Sequence, residues 1–408
     1  MAVISDAPHS ALLASKHILP ALKAFWPTFQ EHFAKHGGYL SLEAAKLYYA
    51  RVDPLHTAIW ICAFFSTFVY ITQQITGNAS QVDRLWTFLP VIYTIHFTFQ
   101  QSLAGFLDPP KLAGLFSSTT NAKADAHQIV PRLALILFLQ VLWSGRLTFH
   151  AIRRGFFKKG EEDYRWPVLR EKLPKWAWEL FALFFIAIAQ NILLALTALP
   201  QYMILTSTWS TLNKPAHPAD QLNKWDFLVA ALTILNLSLE MLSDQQQWTY
   251  QNYKRGKDAS LNDFPPAKLK MLKEEADVKR GFLTKGLWRY SRHPNFFCEQ
   301  INWWLFWSYV VITFTPANGP VPWSTFLKSY ATLSPVLMNL LFVSSTAFTE
   351  EITGSKYPAY KAYQKRVGMF LPVDTLVRAL YYRFIASADT RKRVEDDVWG
   401  NGPSIKSK

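Results

Sequence analysis

The chain has 408 residues, 50% of them hydrophobic and 18% charged, with 43 Lys and Arg against 29 Asp and Glu for a formal charge of +14. Its 16 Trp, 17 Tyr and 30 Phe supply ample surface to bury, which excludes a disordered chain. Only Cys62 and Cys298 are present, which excludes a disulfide scaffold. Mean hydropathy is +0.03, an average that conceals how unevenly the charge is placed.

In chain order, Met1–Pro20 shows no basic n-region before an apolar core, so no signal peptide is expected. Lys16, Lys23, Lys35 and Lys46 recur among apolar residues, the pattern of an amphipathic segment lying on a membrane over residues 1–55. Five windows then lack Asp, Glu, Lys and Arg altogether: Pro54–Val82, Leu85–Leu107, Leu180–Asn213, Gln300–Leu327 and Ser329–Thr349, of 29, 23, 34, 28 and 21 residues. About 20 apolar residues cross a hydrocarbon core. Two weaker windows join them, Pro131–Ile152 (with Arg132 and Arg146) and Trp225–Leu242 (with Glu240). The sequence thus predicts an all-α, polytopic transmembrane bundle of seven helices near 56–75, 86–107, 131–152, 177–199, 225–242, 296–315 and 326–347. Six would follow if the Gln100-Gln101 segment were re-entrant, and eight or more if the chain turned back after Pro200. Residues 56–375 form the membrane domain and 376–408 a polar tail, frayed from Asp389 onward.

The basic residues select an orientation. Segments 153–176 and 243–295 carry eight and eleven Lys or Arg, and the tail after Thr349 carries eleven more. The opposite loops hold five: Lys111, Lys123, Lys214, Lys224 and Lys328. The positive-inside rule makes the rich face cytosolic, with the C-terminus cytosolic and the N-terminus lumenal. Topology and anionic lipid headgroups account for the excess charge, so no nucleic-acid partner is expected; membrane lipids are.

Polar residues inside apolar spans are costly and mark candidate sites. Arg146 sits near the cytosolic end of the third span, where it either snorkels to the interface or faces the bundle. Glu240 and Asp244 share a helix face at i,i+4, at the expected end of the fifth span, where carboxylates oppose the helix dipole and call for a cationic partner; Arg146 is one candidate. The run Gly286-Leu-Trp-Arg-Tyr-Ser-Arg-His-Pro-Asn-Phe-Phe-Cys-Glu-Gln leads a basic loop through Arg292, His293 and Asn295 into an apolar helix carrying Glu299. Pro294 suits the helix start, and Arg292 at a helix N-terminus suits a phosphate or carboxylate. Glu350-Glu351 precede Tyr357, Tyr360 and Tyr363, a stripe at helical spacing that reads as packing, although the carboxylate pair suits a ribose or a cationic donor. Walker, Gly-x-Gly-x-x-Gly, zinc-spaced Cys and Gly-x-Ser-x-Gly patterns are absent, and the ten His form no iron-binding box. No metal is expected.

The 286–304 run, with the Tyr-x-x-Tyr-Gln-x-Arg and Phe370-Leu-Pro372 elements after it, resembles the C-terminal domain of the steroid 5-alpha-reductase-like membrane proteins. Val82-Asp-Arg-Leu-Trp86, Leu142-Trp-Ser-Gly-Arg-Leu147, Glu162-Asp-Tyr-Arg-Trp166 and Asp244-Gln-Gln resemble its largely uncharacterised branch, over about residues 80–375. The wider superfamily includes sterol reductases and isoprenylcysteine carboxyl methyltransferases. The resemblance implies an NADPH-dependent reductase of a carbon–carbon double bond in a lipophilic, steroid-like or fatty-acyl substrate, in the endoplasmic reticulum. It also implies that Arg146, Asp244, Arg280, Arg292, His293, Asn295, Glu299 and Tyr363 bind the cofactor. Phe296 and Cys298 depart from the usual Tyr and Gly. The catalytic Glu and Tyr of the reductases lack a clear counterpart, and Tyr93 is the candidate proton donor. The alternatives are an S-adenosylmethionine-dependent methyltransferase, which shares the order Arg-His-Pro, Glu-Glu, Tyr-x-x-Tyr, and a non-catalytic lipid-binding protein.

Overall fold

The computed structural model describes residues 18–108, 129–207, 221–257, 274–315 and 323–400. All regular structure among them is helical. The chain divides into two compact units, one of residues 1–233 and 303–337 and the other of residues 234–302 and 338–408.

The first unit opens with α1 (Ile18–Lys35) and α2 (Leu42–Arg51). Ser41 Oγ caps α2 by accepting from Ala44 N at 3.1 Å. Phe33, Ala44 and Tyr48 close a small core between the two helices. His56 binds the Ala21 carbonyl at 2.8 Å, so the N-terminal segment is tied to α3 (Pro54–Thr76). Asp53 starts α3, accepting from Leu55 N at 2.8 Å with Pro54 in the first turn. Gly77 ends it at φ +66°, the left-handed position that glycine adopts without steric cost.

α4 (Gln81–Leu85), α5 (Leu89–Leu107), α6 (Pro131–Arg153) and α7 (Arg165–Lys172) follow. Two connectors that sequence reading singled out separately prove to be partners. Ala79 N donates to Glu162 Oε1 at 2.7 Å, Asp163 N to Ser80 Oγ at 2.9 Å, and Trp166 Nε1 to Asp83 Oδ2 at 2.8 Å. Burial pushes the Asp83 carboxyl above the usual carboxylate range, opposed by the Arg165 charge and the Trp166 hydrogen bond. The loops after α3 and after α6 therefore lie at one end of the unit. α6 is a 23-residue apolar helix, long enough to cross a membrane.

The apolar run Lys175–Ser207 is helical throughout: α8 (Lys175–Phe181), a π-helical stretch (Ala182–Ala189), α9 (Gln190–Leu196) and α10 (Leu199–Ser207). α11 (Lys224–Lys254) and α13 (Pro294–Phe314) continue into the second unit, which also holds α12 (Glu275–Arg280). α14 (Trp323–Leu327) precedes α15 (Leu333–Lys356), and α16 (Tyr360–Arg366), α17 (Pro372–Phe384) and α18 (Ala388–Trp399) complete the chain.

Helices occupy all seven expected positions. Five of them are long and apolar enough to cross a membrane: Pro54–Thr76, Pro131–Arg153, Lys175–Ser207, Lys224–Lys254 and Tyr330–Lys356. The other two, α5 and α13, are 19 and 21 residues long. Their Gln100, Gln101 and Ser102, and Glu299, Gln300 and Asn302, lower their hydropathy.

Two expectations are corrected. The fifth helix does not end near 242 but runs to Lys254, because Gln246, Tyr250 and Lys254 find partners in 277–287: Leu287 N, Asp277 O and Gly281 O, at 2.9, 3.1 and 2.6 Å. Glu240 and Asp244 are thus mid-helix, and the dipole argument for a cationic partner loses its premise. Residues 389–399 of the tail are helical rather than frayed. α18 buries Val394 and Val398 in a core with Phe282, Tyr357, Tyr360, Tyr363 and Val367, and Glu395 accepts from Arg366 at 2.6 Å.

Candidate functional site

The second unit carries its polar residues in two groups. The first runs along α11 and α13. Asn236 donates to the Cys298 carbonyl and to Asn302 Oδ1, both at 2.7 Å, and Asn302 Nδ2 donates to Glu240 Oε2 at 2.9 Å. Further along, Asn295 Nδ2 donates to Asp244 Oδ1 at 3.0 Å. The positions 236, 240 and 244 ascend α11 in steps of four while 302, 298 and 295 descend α13, so the helices are antiparallel and share one polar seam. In an apolar setting an unmet polar group costs more than a met one stabilises, so such a seam fixes register.

Asn295 is the exception within the seam. Asp244 Oδ1 accepts from the Asn295 amide nitrogen, so the amide oxygen points away from the carboxyl. Asn295 Oδ1 is buried and meets no hydrogen-bond donor among the described residues. Glu299 lies one turn further along α13 and is buried.

The second group is built on Glu350. Arg292 donates to it twice, Nε to Oε1 at 2.6 Å and Nη2 to Oε2 at 3.0 Å. His293 Nε2 lies 3.0 Å from Oε1, the Tyr360 hydroxyl donates to Oε1 at 3.1 Å, and Gln364 Nε2 donates to Oε2 at 2.9 Å. Arg292 Nη1 also meets the carbonyls of Gln364 and Val367. Burial holds His293 below the ordinary imidazole value, against the pull of Glu350. The ring is therefore neutral near pH 7, with its proton on Nε2 where Glu350 can accept it. Burial, with Glu350 beside it, pushes the Tyr360 hydroxyl well above the usual phenol value.

The loop between α12 and α13 is pinned in the same way. Arg280 Nη2 donates to Asp277 Oδ1 at 2.6 Å, and Nη1 meets the Gly400 carbonyl. Thr284 satisfies the rest of Asp277, N to Oδ2 at 2.9 Å and Oγ1 to Oδ1 at 2.8 Å. Tyr363 is buried, stacks on Phe282 and donates to the Trp288 carbonyl. Gly286, at φ +62°, lies against Gln246, where a Cβ would come within 2.5 Å.

Seven of the nine residues singled out from sequence thus sit in this unit: Asp244, Arg280, Arg292, His293, Asn295, Glu299 and Tyr363. The structure joins Asp244 to Asn295 and Arg292 to His293. Tyr93 and Arg146 belong to the first unit, on α5 and α6, and both are buried. The buried Tyr93 hydroxyl has the Cys62 thiol as its polar neighbour.

Sequence reading missed three features. Asn236 was readable as a polar residue at i−4 from Glu240. The saturation of Glu350 by four side chains was not, because the partners lie 10 to 58 residues away. In the first unit, Arg132 and Asp226 form a fully buried pair, Nε to Oδ1 at 2.7 Å and Nη2 to Oδ2 at 2.9 Å. Thr313 Oγ1 accepts from Arg132 Nη1 at 3.1 Å. Each ion opens an apolar helix, which alone looks like an ordinary interfacial charge.

The fold and these buried polar centres define a helical integral membrane protein. The chain belongs to the family described as protein of unknown function DUF1295, whose model matches residues 69–367. It is similar to an uncharacterised protein of Schizosaccharomyces pombe, 33% identical over 325 residues that cover 80% of this chain and 81% of the relative. No solved structure matches it.

Proposed function

We propose that this protein is an integral-membrane oxidoreductase that reduces a carbon–carbon double bond in a lipophilic, steroid-like or fatty-acyl substrate with NADPH. The observation that carries the reading is the Asp244–Asn295 pair, with its buried, unfilled Asn295 oxygen. A carboxylate and an amide oxygen side by side offer acceptors to the N–H of a carboxamide or the hydroxyls of a ribose. NADPH, when bound, supplies the hydride. Glu299, on the same helix, adds a further acceptor. Arg280 and Arg292 are engaged by internal carboxylates and carbonyls, so their part is to hold the loop and the helix start in place rather than to reach phosphate. His293 and Tyr363 act with them. Arg146, buried in a span, remains a candidate cofactor ligand. Tyr93 is our candidate for the acid that protonates the substrate. Its hydroxyl is buried beside the Cys62 thiol of α3.

The resemblance to the steroid 5-alpha-reductase-like proteins supports the reading and points to the endoplasmic reticulum. Glu350 weighs against the methyltransferase alternative, because five donors already occupy its carboxylate and leave no lone pair for a cationic donor.

The test is NADPH binding to the detergent-purified protein. Asn295→Ala is expected to weaken it at least tenfold, about 1.4 kcal/mol, and Tyr93→Phe to abolish turnover without changing affinity. Equal affinity for wild type and Asn295→Ala, or no binding by wild type, would remove the reading.

A further inference from the structure

The helix α17 (Pro372–Phe384) presents an apolar stripe that none of the described residues covers. Val373, Leu376, Val377, Leu380 and Phe384 follow helical spacing and, with Ile385, are 47–73% exposed. The opposite face is buried: Tyr382 belongs to the core with Tyr360 and Val394, and Thr375 Oγ1 donates to the Tyr290 carbonyl at 2.6 Å. The stripe is therefore a second apolar face on a helix that already has a packed one.

The start of α17 is fixed at a definite level. Gly368 N donates to Thr375 Oγ1 at 2.8 Å, while the Gly368 and Met369 carbonyls accept from Arg292 N and His293 N at 3.0 and 3.1 Å. Those two residues immediately precede Pro294, where α13 begins. Arg292 in turn grips Glu350, six residues before the end of the apolar span Tyr330–Lys356. The start of α17 is thus stitched close to the end of a helix long and apolar enough to cross a membrane.

We propose that α17 lies in the plane of the membrane surface, with its apolar stripe set into the headgroup–acyl boundary of the bilayer that the spanning helices cross. The flanks suit that setting. Tyr381 is exposed at the edge of the stripe, and the exposed Arg383 holds its guanidinium 5.3 Å from the Phe384 ring, where it can reach up to phosphate while its stem stays on apolar surface. Arg378 is tied to Asp374 at 2.8 Å and to the Gln364 carbonyl at 2.9 Å, which keeps the polar flank on the protein side. Acids and bases are mixed over α18, so apolar insertion rather than attraction to anionic lipid is the driving contribution. The helix would then tie the Glu350 centre to the membrane surface, independently of any reaction.

The test uses the full chain in phosphatidylcholine nanodiscs. A fluorophore is placed at Val377→Cys, Leu380→Cys or, as a water-side control, Lys392→Cys, in a Cys62→Ser, Cys298→Ala background. Doxyl-labelled phosphatidylcholine is expected to quench the labels at 377 and 380 and to spare 392, with aqueous iodide giving the reverse order. As a check on the unaltered chain, a photoactivatable lipid is expected to tag the 372–385 segment. Iodide quenching at 377 and 380, labels shielded from both quenchers as under a protein partner, or lipid tags confined to the spanning helices would each overturn the proposal.

Discussion

The Arg292 guanidinium grips both carboxylate oxygens of Glu350, at 2.6 and 3.0 Å, with both side chains almost fully buried. The pair joins the start of α13 to the end of α15, and through Tyr360 and Gln364 it also fixes α16. Removing one partner of such a pair leaves an uncompensated buried charge, a loss of about 3–5 kcal/mol. Glu350→Gln is therefore expected to lower the thermal unfolding midpoint of the detergent-purified protein sharply. The same change at the exposed neighbour Glu351 should stay within about 0.5 kcal/mol of wild type. Equal midpoints for the two variants would show that the centre adds no stability.

The Arg132–Asp226 pair makes the same argument inside the spans. Both side chains are fully buried, Asn223 N donates to Asp226 at 2.8 Å, and Thr313 Oγ1 and the Gln221 carbonyl accept from Arg132 at 3.1 Å. Arg132→Met and Asp226→Asn should each cost about 3–5 kcal/mol. The double variant Arg132→Met, Asp226→Leu should cost clearly less than the sum, because no unpaired ion remains. Additive losses in thermal-shift measurements would mean that the two ions do not act as a pair.

What the sequence could reveal follows from how local each feature is. Helix positions were readable because charge-free windows of 20 or more residues are a local signal, and α3, α5 and α15 fall where those windows lie. The length of α11 was not, since residues 246–254 are polar and are kept helical by contacts with 277–287. Asn295 and Asp244 were each visible as polar residues near a span end, but their meeting depends on the antiparallel register of α11 and α13. Glu350 read as an open carboxylate because none of its partners except Tyr360 and Gln364 lies nearby in the chain. The buried end of α18 went unseen for a similar reason: Val394 and Val398 are two apolar residues in a charged stretch, and only the tyrosine core of α16 gives them a place.

Gly281 offers a sharper test of that core. It closes α12 at φ +92°, and a Cβ there would lie 2.1 Å from the ring of Tyr357, whose hydroxyl accepts a hydrogen bond from Lys254 at 3.0 Å. Gly281→Ala thus combines backbone strain of about 1–2 kcal/mol with a displaced ring. In a Tyr357→Ala background the steric part should vanish and only the backbone part remain, read as a smaller midpoint shift. A loss of the same size in both backgrounds would show that the ring is not the obstacle.

His293 sets a pH dependence with a definite sign. Burial holds its imidazole below the ordinary value of 6.5, while the unfolded chain titrates near that value. On acidification the unfolded state takes up the proton first, so the stability from the neutral, Glu350-bonded ring is present above about pH 6.5 and falls as pH drops toward the folded value. The midpoint is expected to decline between about pH 7 and 5, and His293→Gln, which keeps a donor toward Glu350 but does not titrate, should flatten that part of the profile. A decline of the same steepness in the variant would assign it to other groups.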